Sequence, residues 1–337
     1  MNVCCNLANR KILDALSQKN EGPPPVWIMR QAGRYLPEYR KIREKHSFIE
    51  MSHTPELAAE VTLLPFKRFS FDAAILFSDI LVVFEALGKE IVFEEGKGPR
   101  VTSPVKNAAD VASLEIKEVK SALDYQAKTI QLLIPELNVP LLGFAGAPFT
   151  LASYLIGDLT LAKQWMFDDP KSFEALLDIL CDLVIQTLQL QIDAGAKAVQ
   201  IFDSWAHVLG SRQLEKYSFY YLKKIVDALS VPTLIFARGS SAFAEPLALV
   251  GSSGISMDWP VSLPRLRKRV GNRVTLQGNL DPDILFSSPE VVRKETQAML
   301  QGMASDPGYI VNLGHGIKPN TPLESVQAFV DTCHEFS

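Results

Sequence analysis

Three features of the sequence predict an α/β fold closed into a (β/α)8 barrel. Short apolar runs recur along the whole chain, stretches of helical character separate them, and the runs number eight. They are VWIMR at 26–30, AAILF at 73–77, PLLGFAG at 140–146, AVQIFDS at 198–204, TLIFA at 233–237, GISMDW at 254–259, VTLQGNL at 274–280 and YIVNLG at 309–314. They read as apolar runs instead of polar and apolar alternations, the pattern of parallel strands covered on both faces, and the intervals leave room for crossover helices. The chain of 337 residues exceeds the usual single core, and barrels of this kind are the folds that grow to such a size. An open doubly wound sheet is the alternative that the same alternation allows.

The first run leads out of a proline-rich stretch, and the eighth ends near the C-terminus. Between them, TPELAAEVTLLPFKRF opens with Thr, Pro and Glu, a helix N-terminal signal. SFEALLDILCDLVIQTLQLQIDAGA carries apolar residues at helical spacing and stops near Gly195, and SLPRLRKRVG is a shorter version ending in Gly271. One segment falls outside the repeat: 87–107, with Gly88, Gly96, Gly98, Pro99 and Pro104, reads as a hairpin and extended loop inserted after the second strand. The expected organisation is one domain over 1–337 carrying that insertion.

Composition narrows the function. With 34 Lys and Arg against 38 Asp and Glu, the chain has no broad nucleic-acid footprint, so any basic site must be local. The N-terminal stretch has no secretory pattern and no run reaches membrane-spanning length, which makes the cytoplasm the expected location. Cys4, Cys5, Cys181 and Cys333 lack the spacing of a disulfide framework or a thiolate zinc site, and the five histidines form no metal-binding motif.

In a barrel, chemistry gathers at the C-terminal ends of the strands. PVWIMRQAGRYLPEYR at 25–40 puts Arg30 and Arg34 after the first strand. Two neighbouring guanidiniums suit an anionic ligand; salt bridges to distant carboxylates are the alternative, and Arg40 and Arg43 read as surface charges. Asp79 follows the second strand on a desolvated rim, as a structural pair or as a stabiliser of a developing cation. GFAGAPFTLASYLIG at 143–157 matches no phosphate loop; its small residues would leave room for a broad ligand, with Tyr154 as a core aromatic or a site group. QIFDSW carries Ser204 without a nucleophile elbow, so a binding hydroxyl is the better reading. His315, between Gly314 and Gly316, is a turn histidine or an anion donor and proton shuttle.

Those stretches, with FSDI, GAPFTLASY, SMDW, QGNLDP and NLGHGI, closely resemble the uroporphyrinogen decarboxylase family from about residue 20 to about 330. The resemblance implies a distorted (β/α)8 TIM barrel, needing no cofactor or metal and commonly a homodimer, that converts the four acetates of uroporphyrinogen III to methyls. It further implies substrate carboxylates on Arg30 and Arg34, Asp79 against the pyrrole NH groups, polar contacts from Tyr154, Ser204 and His315, and a cleft lined by the Gln31 and Ala32 backbone and by Phe202. Catalysis would fall to Asp79, Arg30, Tyr154 and His315. His207 stands where the family usually has Gly; solvent exposure is the expected fate of its imidazole, with contact to a carboxylate as the alternative. A zinc-dependent methyltransferase of a related barrel, with Cys333 and His334 as its weak candidate ligands, and a noncatalytic tetrapyrrole carrier are the alternatives.

Overall fold

The computed structural model describes residues 9–94, 98–303 and 305–336. Cys4 and Cys5 lie outside this set. The strands are β1 (Ala74–Ile75), β2 (Ile91–Glu94), β3 (Gly98–Val101), β4 (Leu141–Gly146), β5 (Ala198–Asp203), β6 (Thr233–Ala237), β7 (Gly254–Ser256), β8 (Thr275–Gln277) and β9 (Tyr309–Ile310). Seven form one parallel sheet in the order β1-β4-β5-β6-β7-β8-β9. Val26 closes the ring: it forms a parallel bridge with Val311 on one side, and on the other its carbonyl accepts from the Asp72 N–H at 2.8 Å. The eightfold arrangement is therefore present, in a distorted form, and the open sheet is not.

Several of the expected strands are much shorter than their apolar runs, the first and the last among them. The run at 26–30 reduces to a single bridge for local reasons. Pro23, Pro24 and Pro25 have no N–H to give a ladder, and beyond Trp27 the chain turns, with the Gln31 N–H on the Ile28 carbonyl at 3.0 Å and Arg30 at φ 66°. The run at 309–314 pairs at Tyr309–Ile310 and then only through isolated bridges at Val311 and Leu313.

Alternation along the strands makes two cores. Trp27, Met29, Leu142, Phe144, Ala198, Phe202, Leu234, Phe236 and Ile310 fill the barrel, and Ile12, Ala15 and Leu16 of the helix Lys11–Leu16 join them. Val199, Ile201, Ile235, Ile255 and Leu276 face outward onto the helices, where Leu176, Leu180 and Leu183 of Pro170–Ala194 meet them. That long helix is apolar enough to cross a membrane by length and composition, and half of the qualifying window is buried in the protein. Asp169 caps it by accepting from the Ser172 N–H at 3.2 Å, Pro170 starts it and Gly195 ends it. Inside the barrel, Gln277 is a polar crossbar: it accepts from the Trp27 indole at 2.9 Å and donates to Gln200 and Ser256, each at 3.0 Å.

The second strand leaves the sheet early, and this delivers Asp79. Leu76 N–H still reaches the Leu142 carbonyl at 3.1 Å, but Phe144, whose peptide groups point the same way two residues later, has no strand on that side. Gln191 fills the gap, accepting from Phe144 N–H at 2.7 Å and donating to its carbonyl at 3.0 Å. The released chain passes into the 3₁₀ helix Ile80–Leu87. The expected insertion follows as a β2–β3 hairpin, pairing Ile91 with Val101 and Phe93 with Pro99, and Phe93 packs on Phe48 at 4.6 Å between ring centroids. Residues 95–97 of it are outside the described set.

Asp72 carries the ring closure. Its buried carboxylate accepts from the Val26 N–H at 2.8 Å and the Asn9 amide at 2.6 Å, and lies 3.3 Å from His334 Nε2. Burial alone would raise its pKa, yet hydrogen bonds from His334, Val26 and Asn9 bring it below the ordinary carboxylate value. A depressed folded pKa means stability that is present above the unfolded value and lost as pH falls through the folded one. Asp72→Asn is therefore expected to lower unfolding free energy at pH 7 by about 1–3 kcal/mol in urea titrations, with the deficit shrinking below about pH 4. An unchanged gap between the two proteins across that acid range would contradict the assignment.

Candidate active site

Arg30 owes its position to three neighbours. The Met29 N–H donates to Asn312 Oδ1 at 3.1 Å, the Ile317 N–H donates to the Met29 carbonyl at 3.0 Å, and the wholly buried Gln31 side chain donates to the Ala73 carbonyl at 3.2 Å. Its aliphatic stem lies across Gly316, where a Cβ would come within 2.5 Å of Arg30 Cδ. The turn is a loop, not a helix; the helix Pro37–Arg43 begins only afterwards. Arg40 is more than a surface charge, since its Nη1 donates to the Arg34 carbonyl at 2.8 Å and the Tyr35 carbonyl at 3.2 Å and so holds this turn. Both backbone groups of Gln31 are satisfied internally, by the Ile28 carbonyl and the Tyr35 hydroxyl, which leaves Gln31 as a support of the loop. Ala32 is half-buried against the core.

Asp79 caps the 3₁₀ helix Ile80–Leu87, its Oδ1 accepting from the Leu81 N–H at 2.8 Å. It is half-buried, and the apolar surroundings push its carboxyl up, against the opposing pull of the Leu81 hydrogen bond and of Arg30. Tyr154 lies on the helix Pro148–Ile156 with its ring 6.2 Å from Trp205. Burial raises its hydroxyl; a hydrogen bond with Trp205 and the Arg30 charge lower it, and Asp79 raises it. Two glycines of this stretch, Gly143 and Gly146, leave no ligand space. A Cβ on Gly143 would meet Gln191 Oε1 at 2.4 Å and one on Gly146 would meet Leu151 at 2.8 Å, so protein side chains occupy the room.

Strand β5 directs Phe202 inward and passes into Ser204, with the buried Asp203 turned outward between them. Asp203 accepts from Thr150 Oγ1 at 2.7 Å and from Ser218 Oγ at 2.6 Å, and the Thr150 hydroxyl in turn accepts from the Trp205 N–H at 3.1 Å. This buried network, which the sequence reading passed over, holds the Ser204 loop. Ser204 is half-buried. His207 is exposed and stacks on Trp205 at 5.9 Å, and burial and Arg238 lower its pKa. An aromatic wall runs along the inner face: Phe144 to Phe202 at 5.6 Å, Phe202 to Phe236 at 5.8 Å, and Phe236 to the His315 ring at 5.6 Å.

The field of Arg30 acts on Asp79, Tyr154 and His315, so these four groups share one neighbourhood. Arg34 is exposed, and its charge acts on Tyr39. Among the described residues neither Arg30 nor Arg34 is in an ion pair, which removes the salt-bridge alternative there. Cys333 is buried, and His334 faces Asp72 below the start of β1, at the opposite end of the barrel from these groups. The surface grooves lined by Glu174 and Tyr220, and by Trp259 and Met299, contain none of the candidate residues.

Fold and site together define a parallel eightfold barrel that carries, at its strand C-termini, arginines in no ion pair among the described residues and the raised carboxyl of Asp79. The family model described as uroporphyrinogen decarboxylase (URO-D) matches residues 7–336, and the chain belongs to that family. Among its relatives, the protein named uroporphyrinogen decarboxylase from Protochlamydia amoebophila is 45% identical, with 99% of this chain and 94% of that protein aligned. Those of the same name from Pseudoalteromonas atlantica and Escherichia coli O1:K1 / APEC are 41% and 42% identical, each with 98% of both chains covered. A solved methyltransferase from Methanosarcina mazei shares the fold, with a TM-score of 0.85 at 23% identity over 98% of this chain and 99% of that one.

Burial, then the charges of Arg30 and Arg238, push the His315 imidazole down to about 4. It is therefore neutral near pH 7, able to donate through one nitrogen and accept through the other, and not a ready proton source. Ring NMR of the free protein is expected to show His315 titrating near 4, with the midpoint rising in Arg30→Gln. A midpoint near 6.5 in the unaltered protein would refute this environment.

Proposed function

We propose that this chain decarboxylates the four acetate side chains of uroporphyrinogen III, giving coproporphyrinogen III and four molecules of carbon dioxide. The observation that carries the reading is Asp79: a carboxylate held by the Leu81 N–H at the rim of an apolar barrel, in the field of an arginine that is in no ion pair among the described residues. The full-length likeness to proteins of that name supports the substrate.

The chemistry explains the demand for such a group. Direct loss of carbon dioxide from an acetate would leave an unstabilised carbanion. Protonating the adjacent pyrrole carbon first makes a cationic ring; the C–CO2 bond then breaks, its electron pair forming an exocyclic methylene and neutralising the ring. A proton adds to the methylene and the ring carbon releases its own, so each acetate consumes one proton and no electrons leave the substrate. Asp79 stabilises the cation through the pyrrole NH groups, where low dielectric makes a fixed carboxylate effective. Arg30 places the reacting carboxylate, and its high pKa argues against an ordinary acid role. Arg34 binds a carboxylate further out. Tyr154, Ser204 and the neutral His315 supply hydrogen bonds, Phe202 lines the cleft, and Gln31 and Ala32 shape the loop beneath Arg30. A one-domain chain, a cytoplasmic location and a homodimer with facing clefts belong to the same reading, and sedimentation equilibrium tests the dimer.

An anaerobic assay with uroporphyrinogen III, following the hepta- to tetracarboxylate products, is the direct test. Asp79→Asn is expected to lower kcat by at least about a hundredfold, the scale of losing one electrostatic stabiliser. Because burial raises the Asp79 pKa, the anion is lost as pH falls, and kcat/KM of the unaltered protein should decline on the acid side above the usual carboxylate range. Normal turnover by a folded D79N protein would sink the role. In the same assay Arg34→Ala is expected to raise KM about tenfold with a smaller effect on kcat, as loss of a binding contact does.

A further inference from the structure

One arginine at the strand C-termini has no role in the reading above. Arg238 is the residue after β6, and β6 stands four places around the eight-membered ring from the Val26 segment that leads to Arg30. The two arginines thus rise from opposite sides of the barrel. Leu234 and Phe236 point into the barrel, Phe236 against Phe202 and the His315 ring, and Arg238 is the next residue on that alternating face. Its base is fixed. Gly239 turns at φ +70° so tightly against the preceding loop that a Cβ there would come within 2.7 Å of His207 Cβ.

Arg238 is exposed, and among the described residues it enters no ion pair. Other arginines are engaged: Arg267 Nε lies 2.5 Å from Asp306 and Arg269 Nε 2.8 Å from Glu245. The charges of Arg30 and Arg238 both act on His315, so the opening accumulates like charges, and among the described residues neither arginine is in an ion pair. Such an arrangement costs free energy unless an anion sits between the cations.

We propose that Arg238 is a third carboxylate-binding residue of this site, gripping a substrate carboxylate on the side of the opening away from Arg30. This rests on the reading of the site as one for a polycarboxylate macrocycle. A ring with carboxylates around its rim is held by cations on one side only as by a hinge; a guanidinium opposite fixes its rotation. That orientation decides which acetate faces Asp79.

Steady-state kinetics with uroporphyrinogen III under anaerobic conditions test the inference. Arg238→Ala is expected to raise KM roughly tenfold, the scale of one charge-assisted contact, while kcat changes less than about threefold. Arg238→Lys should recover part of the loss, since it keeps the charge without the planar fork, and the gap should narrow in high salt. A structural role alone would not give that salt dependence or that rescue. In Arg238→Ala the His315 titration should also move upward. A KM for Arg238→Ala within twofold of the unaltered protein overturns the inference. If the unaltered protein shows no turnover, the decarboxylase reading fails by itself; calorimetric binding of uroporphyrinogen III to both proteins then decides about Arg238, with equal affinities overturning it.

Discussion

The arrangement at the strand C-termini depends on how the ring closes at Val26. The segment leading to Arg30 has one strand-like bridge, to Val311, and on its other flank a carboxylate replaces the missing strand: Asp72 takes the Val26 N–H through its side chain and gives its own N–H to the Val26 carbonyl. A buried peptide N–H without a partner costs about 1–3 kcal/mol, so the substitution is what lets the barrel close with so short a strand. The brevity has a use. Freed from the sheet after Trp27, the chain turns over Gly316 and brings Arg30 beside His315.

The same exchange of side chain for strand occurs on the second strand. Gln191, from a helix outside the barrel, takes both peptide groups of Phe144 where β1 has already departed. Asp79 can then leave the sheet and cap its own 3₁₀ helix without an orphaned amide behind it. In both places a buried polar side chain offsets the loss of ladder hydrogen bonds, and in both the released backbone carries a candidate residue.

Electrostatically the opening is unbalanced in one direction. Arg30 and Arg238 depress His315, while burial lifts Asp79 against the pull of Arg30. A protein that is acidic overall thus presents a local positive field, and in the proposed reaction that field draws the anionic substrate while Asp79 meets the cation formed on it. The glycines around His315 serve this packing. They admit Arg30 and the Trp259 backbone at close range.

Much of this was legible in the sequence. Eight apolar runs separated by helical text determine a parallel barrel, because strands covered on both faces have no polar side to alternate. Strand ends then locate Arg30, Asp79, Ser204 and His315, since a barrel collects its strand C-termini on one face. Motif likeness determines the family. What the sequence could not determine is what each residue touches. Arg40 read as a surface charge and serves as a clamp on the Arg34 turn; Gln191 and Asp72 had no motif and stand in for strands; Gly143 and Gly146 read as ligand space and are filled by Gln191 and Leu151. Arg238 follows an ordinary apolar run, and only the ring order sets it across from Arg30. Periodicity is a local property, repeated every two or four residues, and it survives in the linear text. Pairing between residues tens or hundreds of positions apart does not, because it is settled by which backbone groups are left without partners once the chain has closed.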